Sequence, residues 1–140
     1  MEFTLYSDVG KLPLYNPDLE HHVPDQVADS QALLVADPEY AHGVTGTLKN
    51  ALDWLVSFEP FANKPVALLN ASPRAHHADD ALREILKTMS AKLVESVSIT
   101  VPLLGADLTE DEIADHPEIS IAIASALFEL QAIASRRISH

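Results

Sequence analysis

The sequence predicts an α/β domain built on a parallel sheet, on three observations. Apolar runs at residues 32–36 and 66–69 are short and lack polar alternation, as strands buried on both faces do. Each run is followed by a loop and then by apolar residues at helical spacing: Leu48, Ala51, Leu52, Leu55 and Val56 after the first, Leu82, Ile85, Leu86, Met89 and Leu93 after the second. Strands that alternate with helices imply parallel pairing through right-handed crossovers.

Residues 2–6 alternate polar and apolar and predict a short first strand. Residues 7–30 contain Pro13, Pro17 and Pro24 and show no helical period, so they read as a connection. After the strand at 32–36, Thr45 is placed to cap a helix. Asn63-Lys64-Pro65 ends that helix, and residues 66–69 form the next strand. Ser72-Pro73-Arg74 reads as a loop, with Asp79 or Asp80 as the cap of the helix beyond. Residues 97–101 are β-branched at alternate positions and read as a further strand. Residues 103–116 are acidic and irregular; within them 107–112 reads as a solvated turn or helix start, without the ligand alternation and glycine of a calcium loop. Pro117 suits a first helical position. From there Ile119, Ala122, Ile123, Ala126, Leu127, Leu130 and Ile133 form a long apolar stripe.

The 140 residues fit one domain, 1–140, and 47% hydrophobic content suffices for a core. The net charge of −12 argues against a nucleic-acid partner, which needs a basic patch. It leaves room for a phosphate held by backbone N–H groups. The absence of cysteine removes thiol catalysis, disulfides and cysteine metal sites. No apolar run is expected to approach the ~20 residues of a membrane span. Met1-Glu2-Phe3-Thr4 lacks the basic start of a signal peptide. The expectation is a cytoplasmic protein with no membrane partner. Among seven histidines, His21-His22 and His76-His77 are adjacent pairs, expected to point to opposite faces of an extended chain, and none stands at zinc-site spacing. No metal site is expected. A Rossmann-type domain is disfavoured because no Gly-x-Gly-x-x-Gly opens a helix.

The most informative stretch is Pro38-Glu39-Tyr40-Ala41-His42-Gly43 leading into Leu48-Lys49-Asn50-Ala51-Leu52-Asp53-Trp54. It follows a strand, and such loops bind ligands in open α/β sheets. This stretch resembles the signature loop and helix of the NADPH-dependent FMN reductase family, which includes quinone and chromate reductases and FMN-type azoreductases. Lys11-Leu12-Pro13-Leu14-Tyr15-Asn16-Pro17-Asp18 and Ala67-Leu68-Leu69-Asn70-Ala71-Ser72-Pro73-Arg74 are similar to two further family segments. The resemblance implies a flavodoxin-like three-layer α/β/α fold with a parallel sheet, truncated at the N-terminus. The family's first strand and its Gly-Ser-x-Arg-type phosphate loop have no counterpart, and only about eight residues, 23–30, stand where it has an amphipathic helix. In the order 2-1-3-4-5 that loss opens the sheet at its switch point. Either residues 2–6 pair directly with 32–36, or another chain fills the slot, or an edge is exposed.

By the same resemblance, FMN is the cofactor and NADPH or NADH the co-substrate. The cofactor carries the chemistry, so no catalytic side chain is expected. Pro38, Glu39, Tyr40, Ala41, His42 and Gly43 are implied to line the flavin ring, Ala41 standing where the family usually has Asn. Ser72, Pro73 and Arg74 are implied to meet its pyrimidine end through backbone N–H groups, with Arg74 adding positive charge. Lys49 and Asp53 pair on the helix surface, and Trp54 packs under a loop or at a subunit contact. The implied function is transfer of two electrons from NAD(P)H through FMN to a quinone, flavin or similar small-molecule acceptor, in a homodimer or homotetramer. The alternative is a non-catalytic remnant of the family acting as a dimerising interaction module.

Overall fold

Strands β1 (Leu33–Ala36) and β2 (Pro65–Asn70) lie side by side in parallel, Leu33 opposite Val66 and Ala36 opposite Leu69. The computed structural model describes residues 1–19, 22–101 and 107–139. On its other edge β2 pairs in parallel with β3 (Lys92–Leu93) at its start and with β4 (Ile99–Thr100) at its end. These two pieces are one strand interrupted by a 3-10 turn, Glu95–Val97. The turn would leave the Leu68 N–H without a ladder acceptor. Ser98 takes that place: its Oγ accepts from Leu68 N at 3.1 Å and donates to Val94 O at 2.9 Å.

Side chains alternate across the sheet with the strand period of two. Leu33, Val35, Val66 and Leu68 face helix α2 (Gly46–Leu55) and helix α3 (His76–Thr88), packing with Leu52, Leu55, Phe61, Leu82 and Leu86. Leu34 and Ala67 face the other way, toward Ala126, Leu130 and Ile133 of helix α5 (Pro117–Ile138) and toward Val94 and Val97. The result is the expected three-layer α/β/α arrangement. Burying each of the larger apolar chains stabilises by roughly 1.5–3 kcal/mol, so the two clusters fix which helix covers which face.

The helix starts follow local chemistry. Thr45 Oγ1 accepts from Leu48 N at 3.3 Å and opens α2 as expected. Thr109 and Glu112 form a reciprocal capping box that opens helix α4 (Glu110–Asp115). The Thr109 backbone N–H, donating to Glu112, holds that carboxyl below its usual value. Pro117 occupies the first position of α5.

Several expectations need correction. Residues 2–6 form no strand: Phe3 and Leu5 are exposed, and β1 pairs only with β2 among the described residues, so direct pairing of 2–6 with β1 does not occur. An alternating pattern without a neighbouring ladder does not hold a strand. Residues 7–30 include a 3-10 turn, Val9–Lys11, and a one-turn helix α1 (Asp25–Ala28). Helix α2 ends at Leu55, leaving Val56 exposed, and a 3-10 turn, Glu59–Phe61, precedes Asn63-Lys64-Pro65. Leu93 belongs to β3 and Val97 to the interrupting turn. Neither Asp79 nor Asp80 caps α3, which starts earlier at His76; Asp79 instead pairs with Arg83 at 2.7 Å. Residues 103–106 of the acidic stretch, and His21, lie outside the described residues. Finally, α5 is long and apolar enough to cross a membrane by length and composition, contrary to the sequence expectation. One side of it is part of the sheet's core, through Ile119, Ala126, Leu130 and Ala134, while Ile121 and Phe128 are exposed.

Candidate functional site

Two loops leave the carboxyl ends of the adjacent strands β1 and β2. The first is pinned at its base by Asp37, whose carboxylate accepts from Thr45 N at 3.0 Å and from Thr45 Oγ1 at 2.5 Å. At its tip Tyr40 and Gly43 exchange both backbone hydrogen bonds, at 3.2 and 3.0 Å. Ala41 and His42 between them have φ of 50° and 59°. Two consecutive positive φ values match a type I′ turn, which usually takes Asn-Gly. Left-handed backbone costs a residue with a Cβ roughly 1–2 kcal/mol.

The second loop is tied internally. Ser72 N donates to Asn70 Oδ1 at 3.0 Å, Arg74 N to Ser72 Oγ at 3.2 Å and Ala75 N to Ser72 O at 3.1 Å. Asn70 Nδ2 donates to Ala75 O at 3.2 Å, so the asparagine braces both ends. Ser72 is buried, whereas Pro73 and Arg74 are exposed.

The first loop is joined at two points to the first turn of α3, into which the second loop runs. Glu39 Oε2 accepts from Ala78 N at 2.8 Å, satisfying one of the open N–H groups at the start of α3. The rings of His42 and His77 stack with centroids 4.3 Å apart, and His76 lies 4.1 Å from His77. A small cleft of about 10 Å³ lies beneath the loops, between the ends of β1 and β2 and helix α3, lined by Val35, Asp37, Leu68, Asn70, Ala78 and Leu82 among others.

All nine residues expected at the site therefore lie on these two loops, and Glu39 and His42 bring the loops together. One expectation fails locally. The Ser72 and Arg74 N–H groups are used within the loop, and Pro73 has none, so the backbone donors expected there are already engaged. The first-turn N–H groups of His76 and His77 have no intrahelical partner. Sequence reasoning missed Asp37, Asn70 and the histidine stack. An acidic residue closing a strand, eight positions before a Thr cap, was the available signal for Asp37. His76 and His77 lie in the first turn of a helix, where successive residues are separated by about 100° rather than 180°, so both rings approach the same patch.

Trp54 holds the preceding segment in place. It is buried, its Nε1 donates to Pro13 O at 2.8 Å, and Tyr15 and His22 meet its ring edge-on at 5.1 and 4.9 Å. Its place is thus under a loop. Asn50 joins the same contact, donating to Pro13 O and accepting from Tyr15 N. Lys49 and Asp53 pair at 2.6 Å on the surface of α2, as expected.

Comparison with known proteins adds four findings. A family profile described as NADPH-dependent FMN reductase matches residues 1–103. The chain is 38% identical over 76 residues to an NAD(P)H-dependent FMN reductase of Pseudomonas aeruginosa, covering 47% of this chain and 41% of that one. It is 37% identical over 95 residues to a quinone reductase of Pseudomonas putida, covering 56% of this chain and 50% of that one. The chain thus spans about half the length of these relatives, or less. Its fold is similar to that of FerB, a flavoenzyme NAD(P)H:acceptor oxidoreductase of Paracoccus denitrificans, with a TM-score of 0.65 at 21% identity over 88% of this chain and 75% of that one. That likeness establishes the flavodoxin-like α/β fold.

Proposed function

This chain belongs to the NADPH-dependent FMN reductase family, and from that premise we propose that it holds FMN and passes two electrons from NADPH or NADH to a quinone, a second flavin or a similar small acceptor. One observation carries the reading: the loop after β1 is locked to the start of α3, where the loop after β2 ends, by the Glu39–Ala78 bond and the His42–His77 stack. Open parallel sheets bind ligands at such a place.

FMN, when bound, supplies the hydride chemistry. The protein supplies the frame. Pro38, Glu39, Tyr40, Ala41, His42 and Gly43 lie on the loop after β1, and Ser72, Pro73 and Arg74 on the loop after β2, above the small cleft. The Asp37–Thr45 and Asn70–Ser72 contacts brace each loop internally. The open N–H groups of His76 and His77 fit the acceptor atoms of a flavin or its phosphate better than the engaged amides of Ser72 and Arg74 do. Arg74 makes no ion pair among the described residues, so its charge is free to favour a reduced, anionic ring. The proposal includes a single domain over 1–140, a cytoplasmic location and a homodimer or homotetramer.

The test is a visible absorption spectrum of the purified chain before and after FMN is added and the excess removed. Two retained flavin bands that bleach with NADPH, and recover with a quinone, are expected. A colourless protein that releases all added FMN and oxidises no NADPH overturns the enzyme reading in favour of a non-catalytic module.

A further inference from the structure

We propose that Arg74 and the imidazoles of His42, His76 and His77 form a subsite for a phosphate monoester on the rim of the cleft. The proposal rests on the functional reading only in tracing that phosphate to FMN or to NADPH.

The chain carries a net charge of −12, yet three imidazoles converge on this one patch, and the exposed Arg74 lies two residues before His76 on the adjoining loop. The His42 and His77 rings stack at 4.3 Å, the tilted His76 ring lies 4.1 Å from His77, and His76 Nδ1 lies 3.2 Å from Arg74 O, which ties the cluster to the arginine loop. All four side chains are exposed and available to a ligand. Stacked imidazoles repel when more than one is protonated, and a dianion beside them removes that repulsion. His42 is held there by left-handed backbone, at φ 59°, next to Ala41 at 50°. Strain of this kind persists where the surrounding structure enforces it and gathers at ligand sites.

The carboxylates nearby are already committed. Glu39 accepts from Ala78 N, and Asp79 is paired with Arg83, leaving Asp80 as the remaining acidic group on the first turns of α3. Asp37, beneath the loops, is likewise engaged by Thr45 N and Oγ1. The rim attracts an anion: Arg74 is a permanent cation, and the imidazole and backbone N–H groups of His76 and His77 add donors. Charge-assisted bonds from such groups are the strong class of phosphate contact.

The test follows the histidine ring resonances of the whole chain by NMR while inorganic phosphate is added at pH 7. Signals of His42, His76 and His77 are expected to move toward their protonated positions while that of His116, at the start of α5, stays. In parallel, NADPH is compared with NADH, and FMN with riboflavin, in the native chain and in the exposed-residue variants His76→Asn and His77→Asn. The phosphorylated member of one pair is expected to lose roughly tenfold in affinity, with its unphosphorylated partner unchanged, as for one charge-assisted contact removed. The pair affected identifies the source of the phosphate. Histidine signals that ignore phosphate, or variants that weaken both members of each pair equally, overturn the subsite. If the native chain binds no flavin while phosphate still moves the three histidines, the subsite stands and the functional reading fails.

Discussion

Glu39 and Ala78 are separated by 39 positions in sequence and joined by a 2.8 Å hydrogen bond between a carboxylate oxygen and a backbone N–H. The bond does two things at once. It caps α3, whose own preceding residue, Ala75, offers no side-chain acceptor. It also fixes the distance between the two loops at the mouth of the cleft.

Glu39→Ala removes that cap. Loss of an N-terminal cap costs about 1 kcal/mol, so the urea midpoint should fall by that equivalent. Because the loops separate as well, FMN affinity should drop severalfold. Glu39→Gln keeps an acceptor oxygen and should retain most of both. A variant that loses stability but binds FMN unchanged would show that the cap and the site are independent.

The turn at Tyr40–Gly43 makes a second, opposite prediction. Ala41 sits at φ 50°, a conformation that Asn tolerates better than Ala. Ala41→Asn should stabilise by about 0.5–1 kcal/mol, read as a rise in melting temperature. Gly43 is the informative control. Its φ is not left-handed, and an added Cβ would meet only Tyr40 O at 3.8 Å, so Gly43→Ala should be nearly neutral. The glycine of this loop is thus not where its backbone freedom is needed.

Ser98→Ala leaves Leu68 N–H without its acceptor in the interrupted strand. Leu68 is buried, and an unsatisfied buried donor costs about 1–3 kcal/mol. Hydrogen exchange should show the Leu68 amide losing protection while amides of α5 remain protected. Equal protection in both proteins would mean that another acceptor replaces the hydroxyl.

What the sequence made legible was local. The strands at β1 and β2, the Thr45 cap and Pro117 at the start of α5 each announce themselves through a run of a few residues. What escaped were features created by distant partners. Glu39 reads as a loop acid until Ala78 is beside it. Ser98 reads as part of a strand, because nothing in residues 95–97 signals that the ladder will be interrupted there. Residues 2–6 have the alternation of a strand and lack only a neighbour. His76 and His77 were misjudged because their helix begins earlier than Asp79 or Asp80 suggests, and its start is set by Glu39. The candidate site was legible as a pair of loops through family resemblance, but the bonds that couple them were not.

Trp54 is the sole tryptophan of the chain and is 2% exposed, so it reports on one contact. Trp54→Phe removes the bond to Pro13 O while keeping an aromatic ring. About 1 kcal/mol of stability should be lost, and limited proteolysis should quicken between residues 13 and 19. In the native chain, urea that loosens this segment before global unfolding should red-shift the tryptophan emission first.

Lys64 is the least anticipated residue of the fold. Only 5% exposed, it has no carboxylate partner among the described residues and donates instead to the carbonyl oxygens of Val27, Ala28 and Ser30, closing the end of α1. Burial, with help from the Arg137 guanidinium, pushes its pKa below the ordinary lysine value. Between that lowered value and the ordinary one, the unfolded chain binds more protons than the folded chain. This residue's contribution to stability therefore rises with pH through that interval. Lys64→Met removes the donor from three acceptors and abolishes the titration. It should cost about 1–2 kcal/mol at pH 7, and the gap to the native chain should widen toward pH 10. Urea unfolding at the two pH values checks the sign. A gap that narrows in alkali would mean that the ammonium, once folded, is stabilised by its carbonyl cage more than it is penalised by leaving water.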